Sequence, residues 1–167
     1  LQEGRDVLVL AFSSGLSTTY NSFKIAGDEL AAQFPDRKVF VLDTLSASLG
    51  QGMLVAQAAQ LRLDGKTIEE VRDWTEQNKL RQCHWFTVND LFFLKKGGRV
   101  SAATALVGSM LQIKPVMHMD DEGHLINVSK ARGRKASLLA LADKVGELAE
   151  DPASQTMYIS NSACLED

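Results

Sequence analysis

Ser13, Ser14, Ser17, Thr18 and Thr19 place five hydroxyls within seven residues, with Gly15 among them. They directly follow six apolar residues, Val7 to Phe12, and lead into a run with helical spacing. Hydroxyls in such a turn suit either of two chemistries. One is nucleophilic attack by an activated serine. The other is recognition of an anion by hydroxyls and free main-chain N–H groups at a helix start, where the helix dipole presents its positive end.

The nucleophile needs more than a serine. A nucleophile elbow reads G-x-S-x-G and requires a base within hydrogen-bond reach. Phe12-Ser13-Ser14-Gly15 lacks the preceding glycine. His84 begins an apolar run, and His118 and His124 flank an acidic turn far along the chain, so none is marked by sequence as the base. A serine-dependent acyl hydrolase or transferase is therefore the rival reading. Anion binding by neutral hydroxyls and amides of Ser14, Ser13, Gly15 and Ser17 is the leading one, in a pocket with no formal positive charge of its own.

Other candidate groups give weaker signals. Asp120-Asp121-Glu122-Gly123 gathers carboxylates in a pattern that suits turn chemistry better than a metal site. Gly97-Gly98 lacks the phosphate-loop pattern and fits the end of a helix. Arg99 follows it and is a candidate gate to a crevice. Arg132, Arg134 and Lys135 stand where a helix begins, so their charges oppose its dipole, and they are candidates for docking a partner. Cys83 and Cys164 have no metal-ligand spacing and suit a reducing compartment.

The elements that position these residues are legible from periodicity. Val7 to Leu10 is an unbroken apolar strand, of the kind covered on both faces in a parallel sheet. A helix follows, carrying Phe23, Ile25, Ala26 and Leu30, and then a second strand, Val39 to Leu42. A strand–helix–strand order predicts a right-handed parallel crossover, which brings Asp43 to Ser48 to the same sheet edge as Ser13 and Ser14. Open α/β sheets bind ligands at that edge. Gly50 to Leu63 reads as a helix with Met53, Leu54, Ala58 and Leu61 inward. Thr67 and Glu70 form a capping box for another, burying Ile68, Val71 and Trp74. His84 to Val88 is a third strand, followed by a short helix, Leu91 to Lys95.

The pattern changes near Gly97. Ser101 to Met110 is small, apolar and helical; Lys114 to Met119 and His124 to Val128 form a hairpin; a helix carries Leu138, Leu141, Val145 and Leu148. Thr156 to Ser160 reads as a further strand. The expected organisation is thus a parallel α/β lobe over residues 1–96 and a second, mixed α/β lobe over residues 97–167. Ser46, Leu49, Leu106 and Met110 belong to a stock of small and pliable residues able to line a slot for an alkyl chain.

The 167 residues are 45% hydrophobic and 23% charged, typical of a globular chain, and a net charge of −3 argues against a nucleic-acid surface. No apolar run approaches membrane-spanning length. The chain starts at Leu1 without methionine and stops just after an expected strand, so both ends are expected to be cut.

Five stretches together resemble the DegV family of bacterial fatty-acid-binding proteins. They are Ser13 to Ser22 (SSGLSTTYNS), Leu42 to Gly50 (LDTLSASLG), Leu94 to Ser101 (LKKGGRVS), Leu111 to Pro115 (LQIKP) and Ala131 to Ala136 (ARGRKA). The resemblance spans nearly the whole chain, and the order of the motifs makes it specific. It implies two α/β lobes with a long-chain fatty acid between them, the carboxylate held by Ser14 first and Ser13 second. It further implies a cytoplasmic carrier without a cofactor or catalysis of its own, presenting the acid to a separate fatty acid kinase that forms an acyl-phosphate. Arg99, Arg132 and Arg134 match family positions near the pocket mouth or the kinase-facing surface. A lipid-plugged regulatory interaction module is a third reading. Two family motifs, an upstream Thr-Ser-Gln-Pro-Ser and a downstream His-x-Gly-Pro-Gly, are absent, which fits a chain cut at both ends; without them, complete recognition of the carboxylate is in doubt. Thr18 stands where the family commonly has glycine, a tolerated change at a cap.

Overall fold

The computed structural model describes residues 1–101 and 112–162. The fold is mixed α/β, with one parallel and one antiparallel sheet. The chain divides into two compact units, Leu1–Gln82 with Asp121–Gly123, and Cys83–Asp120 with His124–Asp167.

In the first unit, β1 (Val7–Ala11) lies parallel to β2 (Val39–Asp43), with Val7 opposite Val39 and Ala11 opposite Asp43. The helix α1 (Thr19–Gln33) makes the crossover between them. Gly27 lets α1 settle onto the sheet, because a Cβ there would lie 2.7 Å from Val41 Cγ2. Next comes α2 (Ser48–Leu63), which buries Leu54 and Ala58 and is tied to β1 by the Gln51 Nε2–H, 2.9 Å from the Leu10 carbonyl. The expected capping box starts α3 (Ile68–Asn78): the Glu70 amide donates to Thr67 Oγ1 and the Thr67 amide donates to Glu70. Val71 is buried beneath α3, Ile68 and Trp74 are half-buried, and Arg72 lies 4.4 Å over the Phe40 ring.

One expectation about α1 fails. Phe23, Ile25 and Leu30, predicted to face inward, are exposed, and Gly27 is the buried residue of the helix. The inward face follows the close approach at Gly27 rather than the widest apolar stripe.

In the second unit, β3 (Trp85–Thr87), β4 (Ile113–Met119) and β5 (Leu125–Arg132) form an antiparallel sheet with β4 central. The short helix α4 (Phe92–Lys96) lies between β3 and β4, and α5 (Arg134–Leu148) follows β5. Leu91, Val100 and Met117 form the core on one sheet face, with Phe86, Val88, Leu94 and Leu125 packed around them. Trp85 and His118, next along their strands and so on the opposite face, stack at 4.6 Å, and Lys144 of α5 reaches the Trp85 ring. A β-bulge between Val116 and Met117 leaves both fully buried, one on each side of the irregularity.

Three further expectations change. The sequence places the third strand in the parallel lobe of residues 1–96, but β3 pairs with β4, with Phe86 opposite Met117. The division of the chain accordingly falls after Gln82 and not near Gly97. Gly97 and Gly98 instead end α4, with Gly98 at φ +76° and the Arg99 amide donating to the Leu94 carbonyl. The segment expected as a strand, Thr156 to Ser160, joins no ladder among the described residues, and Met157 and Ile159 are exposed. Along α5, Leu141 and Val145 are half-buried while Leu138 and Leu148 are exposed. The helix expected over Ser101 to Met110 lies, after its first residue, outside the described residues.

Candidate functional site

The end of β1, the loop after β2 and the tip of the β4–β5 hairpin meet within the first unit, and hydrogen bonds fix their spacing. The Ser13 amide donates to the Ser46 carbonyl at 3.0 Å, and Thr44 Oγ1 donates to the Ala11 carbonyl at 2.7 Å. The Thr44 amide donates to the same Ala11 carbonyl at 3.1 Å and carries the parallel register one residue further, so the serine turn and the Asp43–Ser48 loop leave the sheet side by side, as the crossover predicts.

The two adjacent serines have different environments. Ser13 is fully buried; its hydroxyl donates to the Gly123 carbonyl at 2.8 Å and accepts the Gly15 amide at 3.2 Å. It therefore acts as a clasp between the turn and the hairpin tip. Both glycines at this clasp are required by space. A Cβ on Gly15 would come within 2.7 Å of the Gly123 carbonyl oxygen, and one on Gly123, at φ +76°, within 2.1 Å of Ser13 Oγ. Ser14 is exposed, and no bond engages its hydroxyl among the described residues. Its amide donates to the Asp43 carboxylate, at 3.2 and 3.3 Å to the two oxygens.

That last contact corrects the picture of an anion pocket made of open amides. The Ser14 N–H already serves an internal carboxylate. The Ser14 hydroxyl is left as an exposed donor of the turn, as is that of Thr18 at the start of α1. Sequence reasoning placed Asp43 at this edge but gave it no role; an acidic residue at the last position of an apolar strand, opposite a serine turn, was the available signal.

Ser17 Oγ accepts the Thr19 amide at 3.2 Å and lies 2.7 Å from Thr19 Oγ1, so it caps α1. Thr18 occupies the cap position without a side-chain bond. Ser46 is buried, and Leu49 is half-buried in the first turn of α2. Leu106 and Met110 lie outside the described residues. In the second unit, Arg99 is exposed and donates to the Gly97 carbonyl. Arg132 and Lys135 are exposed and Arg134 is half-buried, flanking Gly133, whose amide donates to the Gln112 carbonyl at 2.7 Å. The structure thus keeps the three basic residues together at the β5–α5 junction.

Among the described residues no histidine hydrogen-bonds the hydroxyl of Ser13 or Ser14. His118 Nδ1 lies 3.0 Å from the His84 carbonyl oxygen and its ring stacks on Trp85. Burial, and next the His118 charge, push the His84 imidazole below its ordinary range. The Asp120 carboxylate accepts the His124 amide at 2.8 Å, the turn role expected of it. Cys83 is exposed with a free thiol.

A family model described as an uncharacterised protein of the DegV family matches residues 1–167. The chain belongs to the DegV family. A DegV domain-containing protein of Clostridium perfringens is 47% identical over 167 residues, covering 100% of this chain and 57% of the relative. Among solved structures, the Streptococcus pneumoniae Fatty Acid Kinase (Fak) B3 protein loaded with linoleic acid matches with a TM-score of 0.81 at 28% identity, over 86% of this chain and 51% of that one. A DegV lipid-binding protein of Thermotoga maritima matches with a TM-score of 0.72 at 37% identity, over 84% and 47%. This DegV chain spans about half the length of these relatives. No helix among its described residues is long and apolar enough to cross a membrane.

Proposed function

We propose that this DegV chain is part of a carrier for a long-chain fatty acid, with the Ser14 hydroxyl donating to the ligand carboxylate. The observation that carries this reading is the asymmetry of the serine pair: Ser13 is spent on Gly123, whereas Ser14 is exposed and its hydroxyl has no partner among the described residues. The solved DegV structures loaded with fatty acids give the class of ligand. Ser13, Gly15 and Ser17 shape the turn, and Ser46 and Leu49 border the approach of the alkyl tail. A separate fatty acid kinase docks on Arg132, Arg134 and Lys135 and forms the acyl-phosphate, so the carrier itself performs no catalysis.

The energetics favour this division. Burying methylenes contributes about 0.8 kcal/mol each, so a dozen supply roughly 10 kcal/mol before ordering costs. A hydrogen bond to a charged group contributes about 1.5–3 kcal/mol. The tail then dominates affinity, and Ser14 sets orientation and selects for an acid head. The test is mass spectrometry of lipid extracted from the purified, denatured protein. A long-chain fatty acid at near one per protein is expected. Its absence from protein made in several hosts contradicts the proposal, and covalent labelling of Ser14 by a fluorophosphonate would turn the reading toward a hydrolase.

A further inference from the structure

We infer that Asp43 is the positioning residue of the head-group site, holding Ser14 in the one orientation from which its hydroxyl faces outward. The inference rests on the proposed role of Ser14. Asp43 ends β2 opposite Ala11, and its carboxylate collects two main-chain donors from two different loops. Oδ1 accepts the Leu45 amide at 3.0 Å and the Ser14 amide at 3.2 Å, while Oδ2 lies 3.3 Å from the Ser14 nitrogen. Among the described residues no cation forms an ion pair with it. Its charge is therefore directed at these two N–H groups, and hydrogen bonds to an ionised acceptor are about twice as strong as neutral ones.

Both recipients need holding. Leu45 adopts φ +49°, a left-handed conformation that residues with a Cβ rarely take. Its Cα also bounds the space at Gly123, 3.1 Å from where a Cβ would stand. The Asp43–Leu45 bond stabilises that conformation locally, in the manner of an Asx turn. Ser14 lies between Ser13, fixed to Gly123, and Gly15, fixed against the hairpin tip. With its neighbours pinned and its amide drawn to Asp43, rotation of the Ser14 peptide is blocked, and the side chain keeps its outward direction. Asp43 also occupies the amide that an incoming anion would otherwise take, which leaves recognition to the hydroxyl.

A double-mutant cycle tests this, read as the dissociation constant of a labelled long-chain fatty acid, with thermal midpoints measured alongside. Asp43→Ala is expected to weaken binding about five- to tenfold in the wild-type background and less than twofold in Ser14→Ala, while its effect on the midpoint is the same in both. A merely structural role would lower affinity equally in the two backgrounds, and that result overturns the inference. So does unchanged affinity in Asp43→Ala. Should Asp43→Ala fail to fold, Asp43→Asn runs the same cycle: it keeps one acceptor oxygen, and a two- to threefold loss that vanishes in Ser14→Ala is expected. Equal losses or no loss with Asn again overturn it. If Ser14→Ala alone leaves affinity unchanged, the proposed head-group role fails and this inference with it. If Ser14→Ala weakens binding but the cycle shows no coupling, the inference alone falls.

Discussion

The serine turn shows how far residue types alone can go. Two adjacent serines after an apolar strand announce a polar turn at a sheet edge. They do not announce which hydroxyl is free, because that depends on Gly123, 110 residues downstream of Ser13. Asp43 escaped for the same reason, since its partners at Ser14 and Leu45 are fixed by strand register. The clasp yields a direct expectation. Gly123→Ala adds a Cβ within 2.1 Å of Ser13 Oγ and 3.1 Å of Leu45 Cα, at a φ of +76°. Left-handed strain and overpacking together should cost about 2–4 kcal/mol. Denaturant unfolding measures it, and a loss below about 0.5 kcal/mol would show that the tip moves aside freely.

Among the elements, legibility followed local chemistry. The capping box at Thr67 and Glu70 is written in adjacent residues and formed as expected. Continuous apolar runs located β1 and β2, and their parallel pairing followed from the crossover rule. His84 to Val88 reads as a strand for the same reason, but nothing in so short a run names a partner, and only the pairing of Trp85–Thr87 with β4 assigns it to the second unit. Thr156 to Ser160 has strand-forming residues without a described neighbour to bond, so propensity there found no ladder.

The β3–β4 pair carries a pH dependence. Burial first and the His118 charge second hold the His84 imidazole below the ordinary imidazole value of about 6.5. The unfolded chain therefore binds a proton more readily than the folded one as pH falls below that value. The contribution of His84 to stability is complete above about pH 6.5 and is lost as pH drops through the lower folded-state value. The thermal midpoint should decline on acidification from pH 7 to 5, and His84→Asn should flatten the decline. An identical slope in the variant would place the acid sensitivity elsewhere.

For the whole molecule, the mixed α/β class and the family were legible because five motifs recur in order along the chain. The boundary between units was not, because β3 lies upstream of the change in composition near Gly97 while its backbone bonds lie downstream. Burial was the other property the sequence concealed. Phe23 and Leu30 lie seven residues apart on one face of α1, yet periodicity gives a stripe without saying which neighbour covers it.

The central claim, that one exposed hydroxyl orients a fatty acid whose tail supplies most of the affinity, is tested most directly by the dissociation constant of a labelled long-chain fatty acid for wild-type and Ser14→Ala protein. Binding should weaken by about 1–3 kcal/mol, since one hydrogen bond to a charged group is lost, with the thermal midpoint unchanged. An unaltered dissociation constant would contradict the account and move the carboxylate site away from Ser14.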